Sequence, residues 1–195
     1  MPMKVTFELS DRDLEYFRKT LKEANSRGSK ISADKLIDEA AHHLDQLPKD
    51  APEFVLERAQ KLHSLIEMVK DEEWHLEGKD RERVVRALSY FADPKDLIPD
   101  TVPGIGYLDD AIMIELVGRE LKHEIEAYAD FCRLREKKDA ILRKAGASAG
   151  PTHREEWLEA RRVQLQDRMH RRQRRRSASR RSSSSKKTKS PLSLW

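Results

Sequence analysis

One cysteine, Cys132, is all the thiol chemistry this chain has. A single cysteine excludes an intramolecular disulfide and any multi-cysteine metal site, and it fits a reducing compartment. Long apolar runs are missing as well. The most apolar window, 97–117, contains Asp100, Asp109, Asp110 and Glu115, so nothing approaches the roughly 18 consecutive apolar residues of a membrane span. The opening MPMKVTFELSDRD has no apolar stretch of signal-peptide type. These absences lead us to expect a cytoplasmic protein with no transmembrane segment. Catalytic signatures are equally scarce. There is no G-x-S-x-G turn, and the P-G-I-G at 103–106 lacks the spacing and the Lys-Ser/Thr of a phosphate loop. No internal repeat is present.

Charge is what the chain has in excess. Asp, Glu, Lys and Arg make up 38% of it, against about 25% in typical globular domains. With 37% hydrophobic residues, there is material for one modest core and for helices with wide solvated faces. The net charge of +4 conceals a division. From His170 onward there are ten Lys or Arg and no acid, which leaves twenty-nine basic against thirty-five acidic residues, a net −6, before that point. Attraction to a polyanion should therefore reside in the tail.

The hydrophobic pattern predicts an all-α protein. Val5, Phe7 and Leu9 alternate like a strand, but no partner strand appears, so they read as an extended arm. Ser10 is a good N-cap for a helix whose stripe is Leu14, Phe17 and Leu21 and which ends before Gly28. A second helix should follow Ser32 to about Leu47, burying Leu36, Ile37, Ala40, Leu44 and Leu47. A third opens with Pro52 at its first position, buries Val55, Ala59, Leu62, Ile66 and Val69, and should end near Gly78. A fourth, about Arg81 to Phe91, carries Val84, Val85, Leu88 and Phe91. The longest, about Leu108 to Lys144, has the stripe Ile114, Val117, Leu121, Ile125, Tyr128 and Cys132. After a hinge at Gly146 to Pro151, the Thr152/Glu155 pair reads as a capping box. The final helix it opens has a narrow edge of Leu158, Leu165 and Met169. The expected organisation is a compact helical body at 1–145, a hinge at 146–151, a projecting basic helix at 152–176 and a disordered Ser/Arg/Lys tail at 177–195.

The unusual residues are concentrated between the fourth helix and the longest one, in YFADPKDLIPDTVPGIGYLDDA at 90–111. Local physics explains most of this block as a Pro/Asp-rich corner. Asp93 before Pro94 is an N-cap followed by a first-position proline. Pro99 biases Ile98 away from helix, so that turn is short, with Leu97 and Ile98 the buried pair. Pro103, Gly104 and Gly106 redirect the chain, and Asp109 and Asp110 enter the first turn of the next helix, where the macrodipole favours negative charge. The sharper alternative is that Asp96, Asp100, Asp109 and Asp110 converge on a hard divalent cation, although no D-x-[DN]-x-[DN]-G calcium loop is present.

Tyr90-Phe91, Asp93-Pro94, Asp96-Leu97-Ile98-Pro99-Asp100, Pro103, Gly106 and Leu108-Asp109-Asp110-Ala111 together resemble the core signature of the YkvA family, also called domain of unknown function 1232. The resemblance covers about 87–117. It implies a fold element without implying an activity. Many relatives look more apolar after the aspartate pair and are often assigned to membranes. Glu115, Arg119, Glu120 and Lys122 interrupt that segment here, which favours a member that does not insert.

Other constellations carry less. Glu39/His42, Glu72/His75 and Glu120/His123 have the E-x-x-H spacing of di-iron bundles. At 100° per residue, however, each histidine falls on the far side of its helix from the apolar stripe, so solvated histidines are expected. Cys132 lies on a stripe and should behave as a small hydrophobe. The tail offers Arg171, Arg172, Arg174, Arg175 and Arg176, then Arg180, Arg181, Lys186, Lys187 and Lys189, for weak, salt-sensitive contact with nucleic acid or an anionic membrane surface. No aromatic residue interleaves them, so base stacking is not indicated. The reading is a non-catalytic interaction or adaptor module with a polyanion-binding tail and an unidentified protein partner. The alternatives are a metal-dependent enzyme centred on the aspartates and a peripheral membrane protein. No cofactor is indicated beyond that candidate cation.

Overall fold

The computed structural model of the protein describes residues 8–47, 51–93, 98, 102, 107–145 and 151–187. Among these residues there are seven helices and no strand, as the patterning predicts. The chain divides into two units, Met1–Leu121 and Lys122–Trp195.

The first unit holds α1 (Asp11–Gly28), α2 (Ala33–Asp45), α3 (Glu53–Lys70), α4 (Gly78–Leu88) and α5 (Leu108–Glu120). Its helix starts follow local chemistry. Ser10 caps α1 reciprocally with Asp13: its hydroxyl accepts from the Asp13 amide at 3.3 Å while its own amide donates to the Asp13 carboxylate at 2.9 Å. The hydrogen bond from the Ser10 hydroxyl holds the Asp13 carboxyl below the usual aspartate range. Ser32 caps α2 through the Lys35 amide. Pro52 stands as the N-cap of α3, one position earlier than expected. Helix α3 packs against α2, α4 and α5, and α4 also touches α1 and α2. The core gathers around these contacts: Val55, Leu62, Leu65 and Met68 of α3, Val84 and Leu88 of α4 and Met113 of α5 are all buried.

Several boundaries differ from expectation. Helix α3 stops at Lys70 because the Asp71 carboxylate accepts from the amides of Glu73 and Trp74, both at 3.0 Å. Such a side-chain turn competes with the helical ladder. The turn drives Trp74 fully into the core and leaves His75 in the left-handed region at φ 49. Helix α4 consequently starts at Gly78, also left-handed at φ 55, and ends at Leu88. Finally, the expected long helix is two: Leu121 breaks it at φ −93, ψ 20, and α6 (Lys122–Ala145) begins immediately afterwards.

That break resets the helical phase. Tyr128 of α6 is buried as extrapolated, but Glu124, Ala127 and Phe131 are buried with it in place of Ile125 and Cys132. Cys132 is therefore only half-buried. Its sulfur receives a contact from Arg135 at 3.7 Å.

In the second unit α6 packs against α7 (Pro151–Lys187). Ion pairs join Arg154 to Asp139, Arg168 to Asp130 and Arg172 to Glu126. Residue numbers fall along α6 as they rise along α7, so the two run antiparallel. Leu158, Leu165 and Met169 are the buried edge of α7, as expected. The helix starts at Pro151, which places Thr152 inside its first turn instead of at the cap. It also runs past 177, the expected start of the tail, to Lys187. The arm up to Phe7, the hinge at 146–150 and the residues after 187 lie outside the described residues.

Candidate functional site

The signature block begins where α4 ends. From Leu88 the chain continues in tight turns, with the Phe91 amide donating to the Leu88 carbonyl at 3.0 Å and the Asp93 amide to the Tyr90 carbonyl at 3.1 Å. These turns bury Tyr90 and Phe91, whose rings meet edge to face at 5.2 Å. Ser89 is buried too, and its hydroxyl donates to Asn25 Oδ1 of α1 at 2.6 Å. The approach of α1 to this point is close: a Cβ on Gly28 would stand 2.8 Å from the Ser89 Cβ. Only glycine fits there.

Three aspartates of the block are placed by the structure, and each has a partner from a distant part of the first unit. Asp93 accepts from Arg27 at the end of α1, with Nε at 2.6 Å and a second guanidinium nitrogen closer still. Asp109 is 2% exposed; it accepts from the Tyr90 hydroxyl at 3.0 Å and from the Ile98 amide at 3.2 Å. Asp110 is 5% exposed and lies 3.0 Å from His43 Nε2 of α2. Both acids sit in the first turn of α5, where the helix dipole also favours them. The geometry makes them staples. Asp109 ties the two ends of the corner together, Asp93 ties the corner to α1, and Asp110 ties α5 to α2.

The three described acids of the block reach different partners. Among the described residues, no group of three or more His, Cys, Asp or Glu is arranged to hold a metal ion. Pro94, Asp96, Pro99, Asp100, Pro103, Gly104 and Gly106 fall outside the described residues, as does Leu97; Ile98, its expected buried companion, is half-buried.

The histidines divide. His42 and His75 are exposed, as expected. His123 is half-buried, and the break at Leu121 separates it from Glu120 onto another helix. His43, which belongs to none of the E-x-x-H pairs, is half-buried against Asp110. Arg27 was likewise unmarked by its local sequence.

Polar latches flank the corner. Lys61 of α3 donates to Glu115 of α5 at 2.6 Å, and Arg119 reaches the same carboxylate at 3.0 Å. Partial burial raises the Glu115 pKa, but these two cations outweigh it and hold the group below the usual glutamate range.

Residues 83–116 match the family described as "Protein of unknown function (DUF1232)", so the resemblance carried by the motif stands. A 42-residue stretch is 38% identical to the "Uncharacterized membrane protein YkvA" of Bacillus subtilis (strain 168), over 22% of this chain and 40% of that protein. The chain thus spans about two fifths of that relative's length. No solved structure matches it. Among the described residues, no helix is long and apolar enough to cross a membrane.

Proposed function

We propose that this chain is a non-catalytic interaction module in which a YkvA-like helical body is brought to polyanions by its basic C-terminal helix. The observation that carries this reading is the exposure of Arg171, Arg172, Arg174 and Arg175 on α7, in a stretch with no acid from His170 to the last residue. Supporting it, the described acids of the signature corner are occupied as staples between helices and are not gathered in a cleft. A non-catalytic role and a place in the cytoplasm follow from the same reading. A body of this kind would present its outer helix faces to a protein partner.

The test is binding of the full chain to mixed-sequence DNA at low salt, followed by substitution of Arg171, Arg172, Arg174, Arg175 and Arg176 with glutamine. Each lost phosphate contact should reduce the steepness of the dependence of log K on log salt by about 0.9 for duplex or about 0.7 for single strands. An unchanged slope would place the binding charge elsewhere. A second reading, peripheral attachment to anionic lipid, is favoured by the Bacillus relative's being called a membrane protein. Sedimentation with phosphatidylserine vesicles, lost in the same variant, would select it.

A further inference from the structure

Along the antiparallel α6–α7 pair runs a trough of about 510 Å³, within the size range of ordinary ligand sites. Cations line both of its walls. Arg133 and Lys137 come from α6, and Arg161, Arg168 and Arg171 from α7, with Trp157 in the same lining. Asp130 is the one acid among the lining residues, and it accepts from both Arg133 and Arg168. Five cations against one carboxylate leave a local surplus of four positive charges.

Three of the five cations are held in place. Asp130 fixes two guanidinium groups, and Arg161 donates to Gln164 Oε1 at 2.7 Å while lying 5.5 Å from the centre of the Trp157 ring. Lys137 and Arg171 form no ion pair among the described residues. Like charges converging from two helices repel one another, and an anion in the trough relieves that repulsion. A merely solvated face needs no such convergence.

The shape favours one kind of anion. Trp157, Arg161, Gln164, Arg168 and Arg171 follow the four-and-three spacing of a single helix face. From Trp157 to Arg171 that face is about 21 Å long at 1.5 Å per residue. A line of cations of this length suits a chain of phosphates better than a compact ion. A concave trough also admits a strand while keeping a flat bilayer from its walls. The half-buried indole of Trp157 adds an aromatic surface, a common partner of unpaired bases.

We propose that the α6–α7 trough seats the phosphodiester backbone of single-stranded nucleic acid, with its five cations on the phosphates and Trp157 against a base. This rests on the polyanion reading above and moves its centre upstream, from the arginine run after His170 into a built groove.

The experiment uses the full chain and a labelled single-stranded oligonucleotide of mixed sequence, read by fluorescence anisotropy at about 50 mM salt. Two variants remove equal charge: Lys137→Gln with Arg161→Gln in the trough, and Arg174→Gln with Arg175→Gln beyond it. All four residues are exposed, so the fold should survive, as circular dichroism would confirm. The trough pair should weaken binding about tenfold and the outer pair about threefold. Trp157→Ala should cost a further severalfold that Trp157→Phe restores. If the outer pair matters as much as the trough pair or more, the trough is overturned while the tail reading stands. Tighter binding of duplex than of single strand, or trough-dependent binding only to phosphatidylserine vesicles, would also overturn it. If the full chain binds no nucleic acid, both readings fall.

Discussion

The two units of this chain use charge in opposite ways. Residues 1–121 carry twenty-six acids and eighteen bases, a net −8, and residues 122–195 carry nine acids and twenty-one bases, a net +12. In the first unit several of the acids are structural. Asp93, Asp109 and Asp110 each hold a group from a distant segment, and Asp71 ends a helix. In the second unit the acids of α6 hold arginines of α7 in position, and the surplus cations face the solvent or a trough. An excess of one sign therefore does not by itself indicate a binding surface. What matters is whether the fold has already assigned those charges a partner.

The comparison breaks first at Asp109. If the buried acids of the first unit are staples, Asp109→Ala leaves the Tyr90 hydroxyl and the Ile98 amide without this acceptor, at about 3 kcal/mol for one buried and one half-buried donor. Tyr90→Phe removes only one donor and should cost about 1 kcal/mol. Chemical denaturation of the three proteins measures both values. A loss below about 1 kcal/mol in Asp109→Ala would mean that the acid is not structural, and the contrast between the units would collapse.

Smaller, and sharper geometrically, is Gly28→Ala. Its Cβ would meet the Ser89 Cβ at 2.8 Å, and overpacking of this kind costs about 1–3 kcal/mol. Ser89→Ala keeps the colliding atom and should not rescue the variant, whereas Ser89→Gly removes it and should recover part of the loss. Equal rescue by both would show that the hydroxyl, and not the close approach of α1 to the corner, sets the constraint.

What the sequence disclosed was local, and what it concealed was not. Ser10 and Ser32 were readable as caps because their partners lie three residues away. The signature aspartates stood out by type and spacing, but their partners Tyr90, Arg27 and His43 are 19, 66 and 67 residues distant, so nothing nearby marks them. Leu121 gave no warning of a break because an apolar residue there continues the 3.6-residue stripe; one non-helical step then moved Phe131 into the core and Cys132 partly out. Trp74 escaped notice because Asp71-Glu72-Glu73 reads as helix surface until Asp71 folds back on the following amides. The trough was hidden for a related reason. In sequence α6 alternates acids and bases, and only pairing with α7 brings the bases together on one side.

The contrast has a last and smallest test, in acid. Arg154 donates to Asp139 through both Nε at 2.6 Å and a terminal nitrogen at 3.2 Å, and this hydrogen bonding holds the Asp139 carboxyl below the usual aspartate range. Both side chains are about 30% exposed, at 31% and 26%, so solvent screens the pair and its worth is about 1 kcal/mol or less. A carboxyl whose pKa is depressed in the folded state contributes stability that is complete above its unfolded value and lost as pH falls through its folded one. The difference in hydrogen-exchange protection of early α7 between the parent and Arg154→Ala should therefore be constant near neutrality and close below about pH 4. In the first unit Asp13 is held low as well, but by the Ser10 hydroxyl, so Ser10→Ala should give an acid-sensitive loss confined to the start of α1. If that difference between parent and Arg154→Ala instead persisted unchanged down to about pH 2, the ionised Asp139 carboxylate would not be the clamp of early α7.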